Sequence, residues 1–323
     1  MRNGLRSYVA RMRRAGFAAG MVLTGSLLAA TASAQTIGIG TTQGGATGQI
    51  GIALAQVISK GSGYQAVPRV SANTSQYIPQ VDSGQIEFGI ANYPQTYYAV
   101  KGTGMSTEAS ANLRLVASLM PFLAGLVAPE SANVATYKDL AGKAVPRYQA
   151  NSLGDFIISA ALAAGGLTYD DVKSVPVANF PQQYEAFKDR RIDVSIATVG
   201  SQPTFELEAA VGKISFIAFE PSQLPALAKF LPGVYLVDVA PDAKMPGIAK
   251  GTRVFGYDYL LFAHKDVDDK MVGAVAKAIY EGEAFLKSTS PLWVDFDPKL
   301  IGKPAEIPMH PGATAFYKSV GIN

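Results

Sequence analysis

An α/β fold with a mainly parallel sheet, covered by helices on both faces, is predicted by three observations. Short β-rich runs alternate with helical patterns from Thr36 onward. Each of several runs ends in a loop of small polar residues that opens the next helix. This order of strand, polar loop and helix fills two successive rounds, without clear sequence repetition. Such alternation buries parallel strands beneath crossover helices. Open sheets of this kind bind ligands beyond the carboxyl ends of their strands.

The first round opens with a β-rich run at 36–39, followed by a loop of Gly, Thr, Gln and Ala up to Gly48. A helix is predicted over 49–60, with Ile50, Leu54, Val57 and Ile58 at helical spacing and Gly61-Ser62-Gly63 ending it. A strand that feeds a small-residue loop and then a helix leaves free N–H groups at the helix N-terminus, and these attract an anion. The same glycines suit a plain βα turn that needs φ > 0, and at this stretch alone both readings stand. A strand at 67–70, a polar loop at 71–75 and a helix at 76–83 follow, and a buried-looking strand at 86–91 ends at Asn92-Tyr93. Strands are predicted at 113–118 and 123–128, and a short helical turn at 131–140.

The second round has a strand at 143–146, the polar loop Arg147 to Gly154, and a helix at 155–164 stopped by Gly165-Gly166. A strand at 175–177, a helix at 182–188 and a strand at 192–199 lead into Gly200-Ser201-Gln202-Pro203-Thr204, with a helix at 205–211. Strands at 214–218, 234–237 and 254–263 come next. The strongest amphipathic helix is predicted over 271–288, and a Pro-punctuated tail ends in a short helix at 312–320.

The N-terminus reads as an export signal. Arg2, Arg6, Arg11, Arg13 and Arg14 precede an apolar segment at 15–30, and Ala32-Ser33-Ala34 has the small-residue form of a cleavage site. Residues 1–34 are therefore expected to be a cleaved signal peptide and the mature protein periplasmic. Arg13-Arg14 allows a twin-arginine route, although Phe17 falls one residue late for that pattern. Removing five of the 28 basic residues leaves 23 against 25 acidic ones, a mature net charge of −2. That balance does not support a nucleic-acid surface. With no cysteine, the chain has no disulfide, thiolate metal site or cysteine nucleophile.

Catalytic machinery is not legible. His264 and His310 are the only histidines, and neither has a second His at ligand spacing. Asp170 and Asp171 suit a helix start, and Asp295 and Asp297 miss the spacing of a calcium loop. No catalytic residue, metal ligand or cofactor is predicted. What remains is a set of polar strand-end loops carrying Thr41, Thr42 and Gln43; Asn73 and Thr74; Asn92 and Tyr93; Arg147, Asn151 and Ser152; and Gly200, Gln202 and Thr204. These hydroxyls, amides and backbone groups, with one guanidinium, suit the binding of a small organic anion or zwitterion. Arg147 is the natural partner for a carboxylate.

The ordered segments Ile39-Gly40-Thr41, Asp82-Ser83-Gly84-Gln85-Ile86-Glu87, Leu113-Arg114-Leu115-Val116-Ala117-Ser118-Leu119, Tyr137-Lys138-Asp139-Leu140-Ala141-Gly142-Lys143, Ala163-Ala164-Gly165-Gly166-Leu167, Phe187-Lys188-Asp189-Arg190-Arg191-Ile192-Asp193 and His310-Pro311-Gly312-Ala313 run from near Thr36 to the C-terminus. In this order the chain resembles the TAXI-type solute receptors of TRAP transporters. It departs from them at Thr47-Gly48, where the family commonly carries tyrosines, and at Asn73-Thr74, Tyr77, Asn92 and Asn151-Ser152-Leu153-Gly154.

The resemblance implies a two-lobed periplasmic binding protein of type II, each lobe a mainly parallel sheet flanked by helices, with the ligand in the interlobe cleft. It implies one lobe from 35–123 with 262–323, another from 124–261, and crossing strands at 123–128 and 257–263. It further implies a monomeric, non-enzymatic receptor that passes a dicarboxylate, oxo acid or glutamate-like amino acid to a TRAP membrane permease. A receptor for an ABC importer or a membrane sensor is the alternative, and an exported enzyme on the same scaffold a more distant one. In this picture Arg147 anchors a carboxylate, Thr41, Thr42, Thr74 and Ser152 donate hydroxyl hydrogen bonds, and Asn92, Asn151 and Gln202 read the other polar end.

Overall fold

Strand β1 (Thr36–Thr42) is hydrogen-bonded in parallel to β2 (Gln65–Ser71) on one side and to β3 (Phe88–Asn92) on the other. The computed structural model describes residues 34–322, so the predicted leader lies outside the described residues except for Ala34. Helix α1 (Gly45–Gly61) connects β1 to β2, and α2 (Thr74–Asp82) connects β2 to β3. Gly44 and Gly45 have φ of 132° and 67°, a left-handed turn that glycine permits, so the helix starts four residues earlier than its apolar periodicity suggests. Helix α3 (Tyr93–Lys101) was not anticipated. Its N-cap is Asn92, whose side chain accepts from the Gln95 N–H, and Pro94 occupies its first turn.

The two strands expected at 113–118 and 123–128 are one strand, β4 (Leu113–Pro129). Its partner is the late strand β10 (Thr252–His264), and the pairing has two register shifts. One of them leaves Leu119 without an opposite residue, which lets the ladder continue past Pro121. The helical turn expected at 131–140 is two single 3-10 turns, Glu130–Ala132 and Tyr137–Leu140.

The second round follows its expected order, with one helix, Leu224–Ala228, that the sequence does not predict. It comprises β5 (Ala144–Arg147), α4 (Leu153–Ala164), β6 (Lys173–Pro176), α5 (Phe180–Lys188), β7 (Ser195–Thr198), α6 (Gln202–Val211), β8 (Ile214–Phe216), α7 (Leu224–Ala228) and β9 (Tyr235–Val239). Strands β5 and β6 form a separate parallel pair. The C-terminal part has β10 (Thr252–His264), α8 (Asp269–Tyr280), α9 (Glu283–Thr289) and α10 (Pro311–Ser319). The long amphipathic helix expected over 271–288 is therefore two. At the break, a Cβ on Gly282 would lie 2.2 Å from Val57 Cγ2, so the crossing with α1 admits only glycine there.

The main sheet runs β2-β1-β3-β10-β4-β7, with β8 paired to β4 and β9 to β10. It is more mixed than expected, because β10 returns antiparallel between β3 and β4. Strands β1–β3 attach on the side where β10 reaches Tyr259–Ala263, whereas β7, β8 and β9 attach at the other ends of β4 and β10. The core is aliphatic and aromatic: Ile37, Ile39, Phe88, Phe255, Phe262 and Trp293 are fully or almost fully buried. Removing such side chains from water supplies the main folding force. No helix among the described residues is long and apolar enough to cross a membrane.

Candidate functional site

The strand ends aim several helix N-termini at one cavity of about 570 Å³, a size typical of sites for small molecules. The first turns of α1, α2, α4 and α5 contribute Gly45 to Thr47, Thr74 and Ser75, Leu153 and Gly154, and Phe180 and Pro181. The first N–H groups of a helix have no partner within it. Neither α1 nor α2 has a side-chain cap to take them. Ser152 caps α4, which carries Asp155 in its first turn, and Asn179 caps α5, so the four helix ends that line the same volume include two uncapped ones, an arrangement that favours a negative ligand.

The lining holds no Lys, Arg or His among the described residues, and its acids are Asp82 and Glu108. Asp82 Oδ1 is engaged by the Asn112 N–H at 2.8 Å. The sheet forms an apolar floor, with Phe122 and Ala124 on β4, Ile196 and Thr198 on β7, and Tyr257 on β10. Phe122 and Tyr257 stack with ring centroids 5.6 Å apart. Burial raises the phenol pKa of Tyr148, Tyr184 and Tyr257, so all three remain protonated donors at neutral pH. No group of three His, Asp or Glu side chains that could hold a metal occurs among the described residues.

Of the residues singled out from the sequence, the structure brings Thr42, Gln43, Asn73, Thr74, Asn92, Asn151 and Ser152 together around the cavity. Several of their polar groups are already committed. Thr42 Oγ1 donates to the Gly44 carbonyl at 2.9 Å, and Ser152 Oγ donates to the Gln149 carbonyl at 2.8 Å. Asn73 Oδ1 accepts from Ser75 Oγ at 2.6 Å. Asn92 Oδ1 accepts from the Gln95 N–H at 3.0 Å and its Nδ2 donates to Gln95 Oε1 at 2.8 Å, while Gln95 Nε2 donates to Thr74 Oγ1. Asn151 has φ 64°, and its N–H donates to Asp155 Oδ2 at 3.3 Å.

The other six do not line the cavity. Thr41 is buried under α1, its Oγ1 donating to the Thr47 carbonyl at 3.0 Å, so its expected hydroxyl contact with a ligand is spent on the loop. Tyr93 stacks on Tyr97 at 6.2 Å. The Arg147 guanidinium lies 3.5 Å over the ring of Tyr169, an arrangement that favours a cation and draws the side chain away from the ligand volume. Gly200 sits against Pro291 with φ 75°. The Gln202 N–H donates to Gln49 Oε1 at 3.2 Å, and Thr204 Oγ1 donates to the Thr198 carbonyl at 2.7 Å.

Sequence reasoning missed the β6–α5 loop, the segment before β4 from Met105 to Ser110, and the sheet floor. Asn179-Phe180-Pro181 follows a strand and opens a helix, so the strand-end rule that found the other loops applies to it as well. Phe122 and Tyr257 carry no such mark. Tyr257 reads as strand interior and Phe122 falls between two expected strands, and only the pairing of β4 with β10 places them on the floor.

Two solved structures share the architecture. A binding-protein component of an ABC phosphonate transporter from Pseudomonas aeruginosa superposes with a TM-score of 0.53 at 10% identity, covering 82% of this chain and 80% of its own. PhnD1 from Prochlorococcus marinus, in complex with methylphosphonate, gives a TM-score of 0.52 at 10% identity, covering 90% and 99%. The fold is therefore that of type II periplasmic binding proteins. A model of the NMT1-like family matches residues 37–321, nearly the whole described chain, and the protein belongs to the NMT1-like family.

Proposed function

We propose that the protein is an extracytoplasmic receptor that captures a small oxyanion, most simply a carboxylate, and delivers it to a membrane importer. The convergence of four helix N-termini on one cavity carries this reading. The charge balance of the lining, with two acids and no cation, favours one negative charge on the ligand over two. A monocarboxylate, oxo acid or phosphonate monoanion therefore fits better than a dicarboxylate. Two lobes, 35–123 with 262–323 and 124–261, would close on the solute about β4 and β10. The attachment of two strand groups at opposite ends of that pair supports this division. Closure stabilises the bound form only by the solute's extra affinity for it.

An ABC-type importer is the preferred delivery partner, supported by the Pseudomonas relative of the same fold. A TRAP-type permease is the second reading, favoured by the ordered TAXI-like segments such as Tyr137 to Lys143 and His310 to Ala313. The signal-like N-terminus supports a periplasmic location. The test is calorimetric titration of the mature chain with monocarboxylates, oxo acids, dicarboxylates, glutamate and methylphosphonate. Binding of a monoanion is expected, and failure of every anion to bind overturns the proposal. Uptake in membrane vesicles driven by ATP rather than by an ion gradient would separate the two partners.

A further inference from the structure

Three buried side-chain atoms have no hydrogen-bond partner among the described residues: Tyr257 Oη, Trp293 Nε1 and His310 Nε2. Of these residues only Tyr257 is among those lining the cavity, and its hydroxyl is covered, so a solute reaches it by displacing a neighbouring side chain of the floor. Its neighbours have used their phenols. Tyr259, two positions along on the same face of β10, is hydrogen-bonded to Thr47 Oγ1, and Tyr148 donates to Gln183 Oε1 at 2.8 Å. The Tyr257 ring is held by stacking, nearly parallel to Phe122 at an interplanar angle of 6°, with Phe255 on another side at 5.6 Å. A phenylalanine would make these contacts and bury no polar atom, so the packing does not account for the hydroxyl.

We propose that Tyr257 is a specificity-determining residue whose hydroxyl donates a hydrogen bond to an uncharged oxygen of the bound solute, so that the site selects monoanions with an oxo or hydroxyl oxygen remote from the charged head. The proposal rests on the receptor reading above. The charged head belongs at the helix N-termini, where first-turn residues of four helices line the cavity and α1 and α2 have no side-chain cap. The floor around Tyr257 is mostly apolar, formed by Phe122, Ala124 and Ile196 with Thr198, and a charge is costly on such a surface. An uncharged oxygen is the ligand group that this floor tolerates and this donor satisfies. Burial, reinforced by the nearby Tyr259, holds the phenol in its protonated donor form.

The experiment compares wild type with Tyr257→Phe by calorimetry on matched acids that differ in one oxygen: 4-oxopentanoate against pentanoate, and 4-acetylbenzoate against 4-ethylbenzoate. The wild type should prefer the oxygenated member of a bound pair by about tenfold, and the variant should lose that preference. The solute-free variant should melt at or above the wild-type temperature, which excludes a folding defect as the cause. Equal affinity of wild type for both members of each pair, or a preference kept by the variant, overturns the role of Tyr257 while leaving the receptor intact. Failure of the wild type to bind any anion of the wider series overturns the receptor reading and this inference with it.

Discussion

The backbone N–H of Gln202, at the start of α6, donates to Gln49 Oε1, on the first turns of α1, at 3.2 Å. The contact joins the two strand groups that hang from β4 and β10. A second tie is made elsewhere by Tyr98, whose hydroxyl donates to the Phe230 carbonyl at 3.1 Å. If solute binding closes the proposed lobes, these bonds belong to the closed form. Gln49→Ala should then lower solute affinity by about two- to tenfold, the value of one hydrogen bond near 0.5–1.5 kcal/mol, with the loss in the dissociation rate. Stopped-flow fluorescence measures it, and an unchanged dissociation rate would exclude the tie from closure.

Arg147 is the residue at which sequence and structure part most clearly. From its position at the end of β5 it is the obvious carboxylate partner, yet its guanidinium stacks on Tyr169, whose hydroxyl donates to Asp155 Oδ1 at 3.1 Å. Arg147→Ala is expected to leave solute affinity within about twofold and to cost about 0.5–2 kcal/mol of stability through the lost cation–π contact. Parallel calorimetric titration and urea unfolding check both. A fall in affinity of more than about tenfold would show that the side chain swings to the ligand on binding.

The alternation of strands and helices was legible because each parallel strand must be followed by a crossover helix, and both periodicities are written in the apolar residues. Strand-end loops were legible for the same reason, and seven of their residues do meet at one cavity. What sequence could not show was which polar groups were already spent. Thr41 and Thr42 present the same hydroxyl, but one is buried beneath α1 and the other sits at the cavity, and both donate to nearby carbonyls. Gly282 shows the same limit in the fold. The helical pattern resumes beyond Glu281-Gly282, and the close approach of Val57 that requires glycine at the break appears only in the fold.

Asn92 carries both a cap and a link between helices. It caps α3 through the Gln95 N–H, and the Gln95 amide it orients reaches Thr74 in the first turn of α2. All three side chains are buried, so breaking the chain leaves polar atoms without partners. Asn92→Ala should therefore cost about 1–3 kcal/mol of stability, measured by urea unfolding. It should also weaken solute binding, because Thr74 and Gln95 both line the cavity. Asn92→Asp keeps the cap acceptor but loses the donor to Gln95, and should fall between the two. A variant with full stability but reduced binding would instead assign Asn92 to direct ligand contact.

His310 gives the protein an acid-sensitive point away from the cavity. The side chain is fully buried at the start of α10, where Nδ1 accepts the Gly312 N–H at 3.2 Å. Burial lowers its pKa below the ordinary 6.5, partly opposed by Asp269, whose Oδ1 lies 3.4 Å from Nδ1, and assisted by the cation of Arg114. Between the depressed folded value and 6.5, the unfolded chain binds a proton that the folded chain refuses. Stability from this group is therefore complete above pH 6.5 and is lost as pH falls toward the folded value. Urea unfolding at stepped pH should show wild-type stability falling through that window ahead of general carboxylate protonation. His310→Asn keeps a helix-cap acceptor without a titrating ring, so its profile over the same window should be flatter, from a lower starting stability because the smaller side chain leaves a void. Parallel profiles for the two proteins would remove His310 as the source of the acid response.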